Sequence, residues 1–239
     1  MNKDKQSDNE LAEEAKEFVK RNKREFFKRF ANLEEIIPVE DPFTIFMAGS
    51  PGAGKTEFSK RLMESMSPVK IVRIDADEIK SFIPQYTGKN SNIVQGAASI
   101  AVDNLNYYAL KHRQNIIMDG TFANYAIARR NVVNCLNKSR KIGLFYLYQE
   151  PKTAWDFTKK REKLEGRYIP SEAFIKAFIN SRKNIIAIKE EFPDKIELNI
   201  VVKNEQNEIE KIEFGVDILN IDKLLPSIYN ENYLKKIIC

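Results

Sequence analysis

Histidine, cysteine and long apolar runs are what this 239-residue chain has least of. Its single histidine, His112, argues against His-based zinc sites and leaves little room for a His-centred triad. Within "ALKHRQN", at the end of a helical stretch, it reads as helix-end surface. Two cysteines, Cys135 and Cys239, lie far apart in the chain, so a disulfide framework is excluded and a reducing cytoplasm suits them. Cys239 is the last residue, which excludes a prenylation box. No stretch approaches the roughly 18 apolar residues of a membrane span, and "MNKDKQSDNELAEEAKEF" lacks the apolar segment of a signal peptide. These absences predict a soluble, cytoplasmic protein with no membrane partner.

What is present is enough for one substantial core, with 43% hydrophobic residues and 10% aromatics. The net charge of +5 favours anionic partners, but it arises from 39 Lys and Arg against 34 Asp and Glu, an ordinary solvated surface. That balance gives only weak support to nucleic acid as a partner.

Residues 1 to 8 are polar and expected to be disordered; Leu11, Ala15, Phe18, Val19, Phe26, Phe27 and Phe30 then recur at near-helical spacing, one amphipathic helix or two. "IIPVEDP" (36 to 42) is a linker, since Pro38 and Pro42 disfavour helix before them. Residues 1 to 40 thus form an N-terminal helical extension and 41 to 239 the main domain. Buried strands are predicted at 43 to 49, 69 to 75, 115 to 120 and 141 to 148, with helices at 54 to 65, 77 to 83, 99 to 112 and 125 to 139 between them. Helices alternating with strands written as continuous apolar runs predict an α/β fold, a parallel sheet covered on both faces. Beyond it come a basic helix broken at Gly166, a long amphipathic helix (171 to 192), and two strand-like runs around "NEQNE", an edge hairpin. A final helical stretch is interrupted near Pro226.

Gly49-Ser50-Pro51-Gly52-Ala53-Gly54-Lys55-Thr56 fits G-x-x-x-x-G-K-[ST] in full, between a predicted strand and helix. The glycines let backbone N–H groups converge on phosphate oxygens, and the helix adds its positive end. Lys55 is expected on the β- and γ-phosphates of a nucleoside triphosphate, ATP first of all, and Thr56 on Mg²⁺. In "RIDADEIK" Asp77 opens a helix at the carboxyl edge of the sheet, where it can orient an acceptor hydroxyl and take its proton; Asp75 reads as a helix cap. In "NIIMDGTF" Asp119 ends a strand where an acid supports the metal, Gly120 permits close approach, and Thr121 offers a hydroxyl to the acceptor or to Asp119. Arg161 and Arg167 lie about 240° apart on an unbroken helix, so both face one ligand only if the helix ends near Gly166. They would then clamp the transferring phosphoryl group from a lid at about 155 to 170. Trp155, near that lid, reads as helix packing.

Together these motifs resemble the zeta toxin family of P-loop kinases, related to chloramphenicol phosphotransferase and polynucleotide kinase, from about Phe43 to Phe192. "GSPGAGKT" is similar to the family's phosphate loop, "IDADEIK" to its D-x-D-x-[FL]-[KR] block with Asp77 as base, "MDGT" to its acidic-Gly-Thr motif with Asp119 for the usual Glu, and Arg161, Arg167 and Pro170 to its lid arginines. Ile83-Pro84 stands where the family often has His-Pro. The resemblance implies transfer of phosphate from ATP or GTP, with Mg²⁺, to the 3'-hydroxyl of the amino sugar in UDP-N-acetylglucosamine, which starves cell-wall synthesis. It also implies a small helical antitoxin that blocks the nucleotide site. The N-terminal helix at 11 to 30 raises the alternatives of inhibition in cis, a docking place for that antitoxin, or simple packing. A polynucleotide 5'-hydroxyl kinase shares the same machinery and would use "NYYALKHR" as a stacking strip. A non-catalytic nucleotide-binding module is disfavoured, because Lys55, Thr56, Asp77 and Asp119 are all present.

Overall fold

A computed structural model describes residues 3–225 and 229–238. Six strands form one sheet in the order β2-β3-β1-β4-β5-β6: β1 (Phe43–Ala48), β2 (Ile71–Asp75), β3 (Asn115–Asp119), β4 (Lys141–Tyr148), β5 (Ile196–Lys203) and β6 (Ile209–Glu213). The first five are parallel, and β6 runs antiparallel to β5 with a bulge between Val202 and Lys203. Central β1 is buried on both faces over five of its six residues, as its continuous apolar text requires. The predicted edge hairpin is therefore present. Predicted strand ends at Gly49 and Gly120 fall one residue inside the following loops.

Helices cover both faces: α3 (Lys55–Ser65), α4 (Ala76–Lys80), α5 (Gln95–Lys111), α6 (Tyr125–Leu136), α7 (Pro151–Glu165) and α8 (Ser171–Glu191), with short α9 (Ile221–Leu224) and α10 (Glu231–Ile238) closing the chain. The break expected near Pro226, and Cys239, lie outside the described residues. The second strand starts at Ile71 rather than residue 69, because the Val69 N–H closes a turn onto the Met66 carbonyl. The α5 helix starts four residues before the predicted 99, and Ala97 and Ala98 in that extra turn are buried. Among the described residues no helix is long and apolar enough to cross a membrane.

The N-terminal region corrects one expectation. Helix α1 (Lys3–Arg21) already includes residues 3–8, which were expected to be disordered. No Gly or Pro interrupts the stretch, so helix nucleated on the amphipathic turns propagates outward, and Glu13–Lys16 and Glu17–Lys20 pairs support the middle. Asn22 separates α1 from α2 (Lys23–Phe30). Ala15, Val19, Phe26 and Ala31 are buried in the same core as Phe46, Val72 and Leu105. Phe27 stacks on Tyr108 of α5 with centroids 4.1 Å apart, so Tyr108 is spent on packing, while Tyr107 is exposed.

Candidate active site

The site lies at the carboxyl ends of β1, β2 and β3, where an open parallel sheet leaves a crevice. The β1 strand feeds the phosphate loop, whose Gly49 N–H donates to the Thr121 carbonyl (3.2 Å), tying that loop to the turn after β3. Gly52 has φ 77°, and a side chain there would run into the Ala154 carbonyl at the start of α7. Only glycine meets both demands. The Lys55 ammonium, 9% exposed, donates to the carbonyls of Gly49 (3.0 Å) and Ser50 (2.6 Å). Burial lowers its pKa to about 8, against the opposing pull of Asp119.

Beside this loop, parallel register sets Asp75 directly across from Asp119. Two carboxylates that close and that buried need a shared cation, and Arg73 supplies it. Its guanidinium pairs with Asp75, with Asp119 (2.7 Å) and with Glu78 (2.6 Å). Ser59 of α3 donates to Asp119 Oδ2 (3.0 Å) and accepts from Arg73 Nε (3.1 Å). Burial, together with Asp119, pushes the Asp75 carboxyl above the usual carboxylate range, with Arg73 pulling the other way. Asp75 also caps α4, accepting from the Asp77 N–H at 2.8 Å.

That cap starts α4 so that Asp77 stands in its first turn, between Lys80 Nζ (3.2 Å from Oδ1) and Arg167 Nη1 (3.2 Å from Oδ2). Burial raises the Asp77 pKa, but Lys80 and Arg167 outweigh it and hold the carboxyl below its ordinary value. Lys80 is itself buried and donates to Ser91 Oγ (2.8 Å). Arg167 reaches Asp77 because α7 stops at Glu165 and Gly166 turns the chain with φ 73°, its N–H capping Glu162. Glu165 then lies between the two arginines, 3.4 Å from Arg161 and 3.1 Å from Arg167. Gly52, Asp77, Arg161 and Arg167 line one cleft of about 260 Å³. A second cavity of about 280 Å³ is lined by Asp119, Gly120 and Thr121, with apolar walls from Phe46, Met118 and Phe122, and Gln95 borders both. Trp155 packs edge-on against Phe174 with centroids 5.1 Å apart.

Among the sequence-derived candidates, Gly52 of the phosphate loop, Asp77, Arg161 and Arg167 line one cleft and Asp119 and Thr121 border its neighbour, while Lys55 and Thr56 line neither. Sequence reasoning passed over Arg73, Ser59 and Glu165. An arginine inside the apolar strand "IVRID" was the available signal for the first; nothing in the text marks the other two.

A mainly parallel six-stranded sheet flanked by helices, with a G-x-x-x-x-G-K-[ST] loop after its central strand, is the fold of the P-loop kinases and points to a phosphotransferase. The chain belongs to the zeta toxin family, whose model matches residues 30–213. No curated protein matches it in sequence. Among solved structures it is similar to the PezAT chromosomal toxin–antitoxin system of Streptococcus pneumoniae, with 17% identity, TM-score 0.63, and coverage of 95% of this chain and 91% of that one. It is also similar to the AvrRxo1-ORF1:-ORF2 complex with ATP (15% identity, TM-score 0.63, 91% and 72% covered). A chain of the Pnkp1/Rnl/Hen1 RNA repair complex shares the fold less fully (19% identity, TM-score 0.52, 65% and 48% covered).

Proposed function

We propose that this protein transfers the γ-phosphate of ATP or GTP to a hydroxyl of a sugar nucleotide, the 3'-hydroxyl of the amino sugar in UDP-N-acetylglucosamine being the acceptor of choice, and so acts in the cytoplasm as a toxin against cell-wall synthesis. The observation that carries the reading is the placement of Asp77 across a cleft from the phosphate loop, inside a chain of the zeta toxin family. Lys55 and the loop N–H groups would hold the β- and γ-phosphates, and Arg161 and Arg167 would neutralise charge on the group in transit. Asp77 would orient the acceptor hydroxyl. Its depressed pKa keeps it anionic at neutral pH, and it need not be a strong base, because in a loose phosphoryl-transfer transition state the proton leaves late. The acceptor would span the cleft at Asp77 and the adjoining cavity bordered by Asp119 and Thr121, the two meeting at Gln95.

Magnesium fits this donor set. Among the described residues no cluster of three or more His, Cys, Asp or Glu could hold a metal, but Mg²⁺ on a nucleotide needs only one or two protein oxygens beside phosphate and water. The Thr56 hydroxyl and the Asp119 carboxylate would provide them, and Ser59, one turn along α3 from Thr56, lies within hydrogen-bond reach of Asp119 Oδ2 (3.0 Å). When bound, the ion would offset phosphate charge.

A small helical antitoxin fits as a partner, since the PezAT and AvrRxo1 structures are of two-component systems. Inhibition in cis is not what this arrangement favours: α1 and α2 pack on α5 and line neither of the two cavities. The test is transfer of labelled γ-phosphate to UDP-N-acetylglucosamine, to a 5'-hydroxyl oligonucleotide and to water. Label in the sugar nucleotide supports the proposal. Label in the oligonucleotide alone would replace it with a polynucleotide kinase, and label in neither would refute the acceptor class.

A further inference from the structure

The turn joining β5 to β6 lies against the phosphate loop, and two of its polar groups have no partner. Lys203, at the end of β5, is only 8% exposed. Among the described residues its ammonium makes no hydrogen bond and has no carboxylate within ion-pair reach. Burial pulls its pKa below the usual lysine value, with Glu57 of α3 opposing. That ammonium fills the space a side chain at Gly54 would take, and Asn207 Oδ1 lies 3.1 Å from the same point. The Asn207 oxygen is buried and likewise unpartnered.

This is a built arrangement rather than a loose loop. Asn207 sits at φ 66°, a left-handed conformation that asparagine tolerates, and its N–H donates to the Asn204 carbonyl (3.0 Å). The Asn204 side chain accepts from the N–H groups of Gln206 (3.0 Å) and Glu208 (2.9 Å), and Gln149 donates to the Asn204 carbonyl (2.8 Å), anchoring the turn to the end of β4. A buried cation without a counter-charge and a buried oxygen without a donor are both unfavourable in the free protein. Both are satisfied by one ligand that carries negative charge on one side and an N–H donor on the other. Gly54 precedes Lys55 and forms the N-cap of α3, so such a ligand would be continuous with the phosphates on the loop.

We propose that Lys203 and Asn207 form the nucleoside-side wall of the donor site: the Lys203 ammonium counters the phosphate nearest the ribose, and Asn207 Oδ1 accepts a hydrogen bond from the amino group of the purine. The inference rests on the reading of the phosphate loop as a triphosphate site. It makes Asn207 a specificity residue and Lys203 an affinity residue for the donor, separate from the acceptor machinery around Asp77.

The experiment compares wild type, Lys203→Met and Asn207→Gly for binding of ATP, ITP (whose base lacks the amino group) and inorganic triphosphate, by calorimetry and by ligand-induced rise in melting temperature. Loss of one charge-assisted contact should weaken ATP binding of Lys203→Met by about tenfold or more. The same variant should melt higher than wild type without ligand, because a buried unpaired charge is gone, and should gain less on adding ATP. Asn207→Gly should lose the wild-type preference for ATP over ITP. Wild-type ATP affinity in Lys203→Met together with an unchanged ATP-over-ITP ratio in Asn207→Gly overturns this inference alone. A wild type that binds none of the three ligands removes the triphosphate reading, and this inference with it.

Discussion

Removing Arg73 is the most informative perturbation of the site's framework. The side chains of Arg73, Asp75 and Asp119 are 8%, 11% and 4% exposed, and one guanidinium serves both carboxylates. Arg73→Met keeps most of the volume but leaves two adjacent buried carboxylates without a counter-charge. Breaking a buried pair in this way costs about 3–5 kcal/mol, part of which the protein escapes by protonating one of the acids. The sign with pH follows from Asp75. Its folded pKa is already raised, so its ionisation removes stability as pH rises through that value; without Arg73, which opposes the shift, the loss grows. Urea unfolding of the variant should therefore show a deficit of about 3–5 kcal/mol at pH 8 and a smaller one at pH 5. Arg73→Met/Asp75→Asn should recover part of it by removing one of the two charges. A deficit below about 1 kcal/mol, the same at both pH values, would refute the shared-cation account.

Other expectations follow from the same geometry. Because the Lys55 pKa is lowered to about 8 and phosphate favours its charged form, nucleotide binding should take up a proton near pH 8. Calorimetry in buffers of different ionisation enthalpy would detect this, with affinity falling as pH rises above 8 and levelling off below it. Arg167→Ala should remove one of the three cations (Lys80, Arg167 and Arg161) that hold Asp77 down, moving the acid limb of the pH–rate profile upward and lowering kcat by about 10²–10³. Gly52→Ala should abolish nucleotide-induced stabilisation in a thermal-shift assay, since the added methyl meets the Ala154 carbonyl at a left-handed backbone position. Deleting residues 1–35 should yield insoluble or unfolded protein rather than a more active enzyme, because Ala15, Val19 and Phe26 are core residues; a folded truncation of higher activity would revive inhibition in cis.

Much of this fold is written locally. The strands β1, β3 and β4 are mostly apolar runs, and the loop after β1 carries a pattern that fits a strand–turn–helix context. Gly166 announced the break that lets Arg167 reach Asp77, because six residues of regular helix would have pointed the two arginines apart. The rest depended on contacts between distant segments. Arg73 meets Asp119 only through the β2–β3 register, and Lys203 meets Gly54 only because β5 ends beside the phosphate loop. Residues 3–8 were misread from polarity alone: a polar segment can extend a helix whose stability comes from the turns after it.

The central claim is that Asp77 presents an acceptor hydroxyl to a nucleotide held on the phosphate loop. ³¹P NMR of wild type and Asp77→Ala, each with Mg-ATP and UDP-N-acetylglucosamine, tests it most directly. The account expects a new phosphate monoester on the amino sugar with wild type and a rate lower by about 10² or more with Asp77→Ala, at unchanged ATP affinity. Equal rates for the two proteins, or ADP and inorganic phosphate as the only products of wild type, would contradict it.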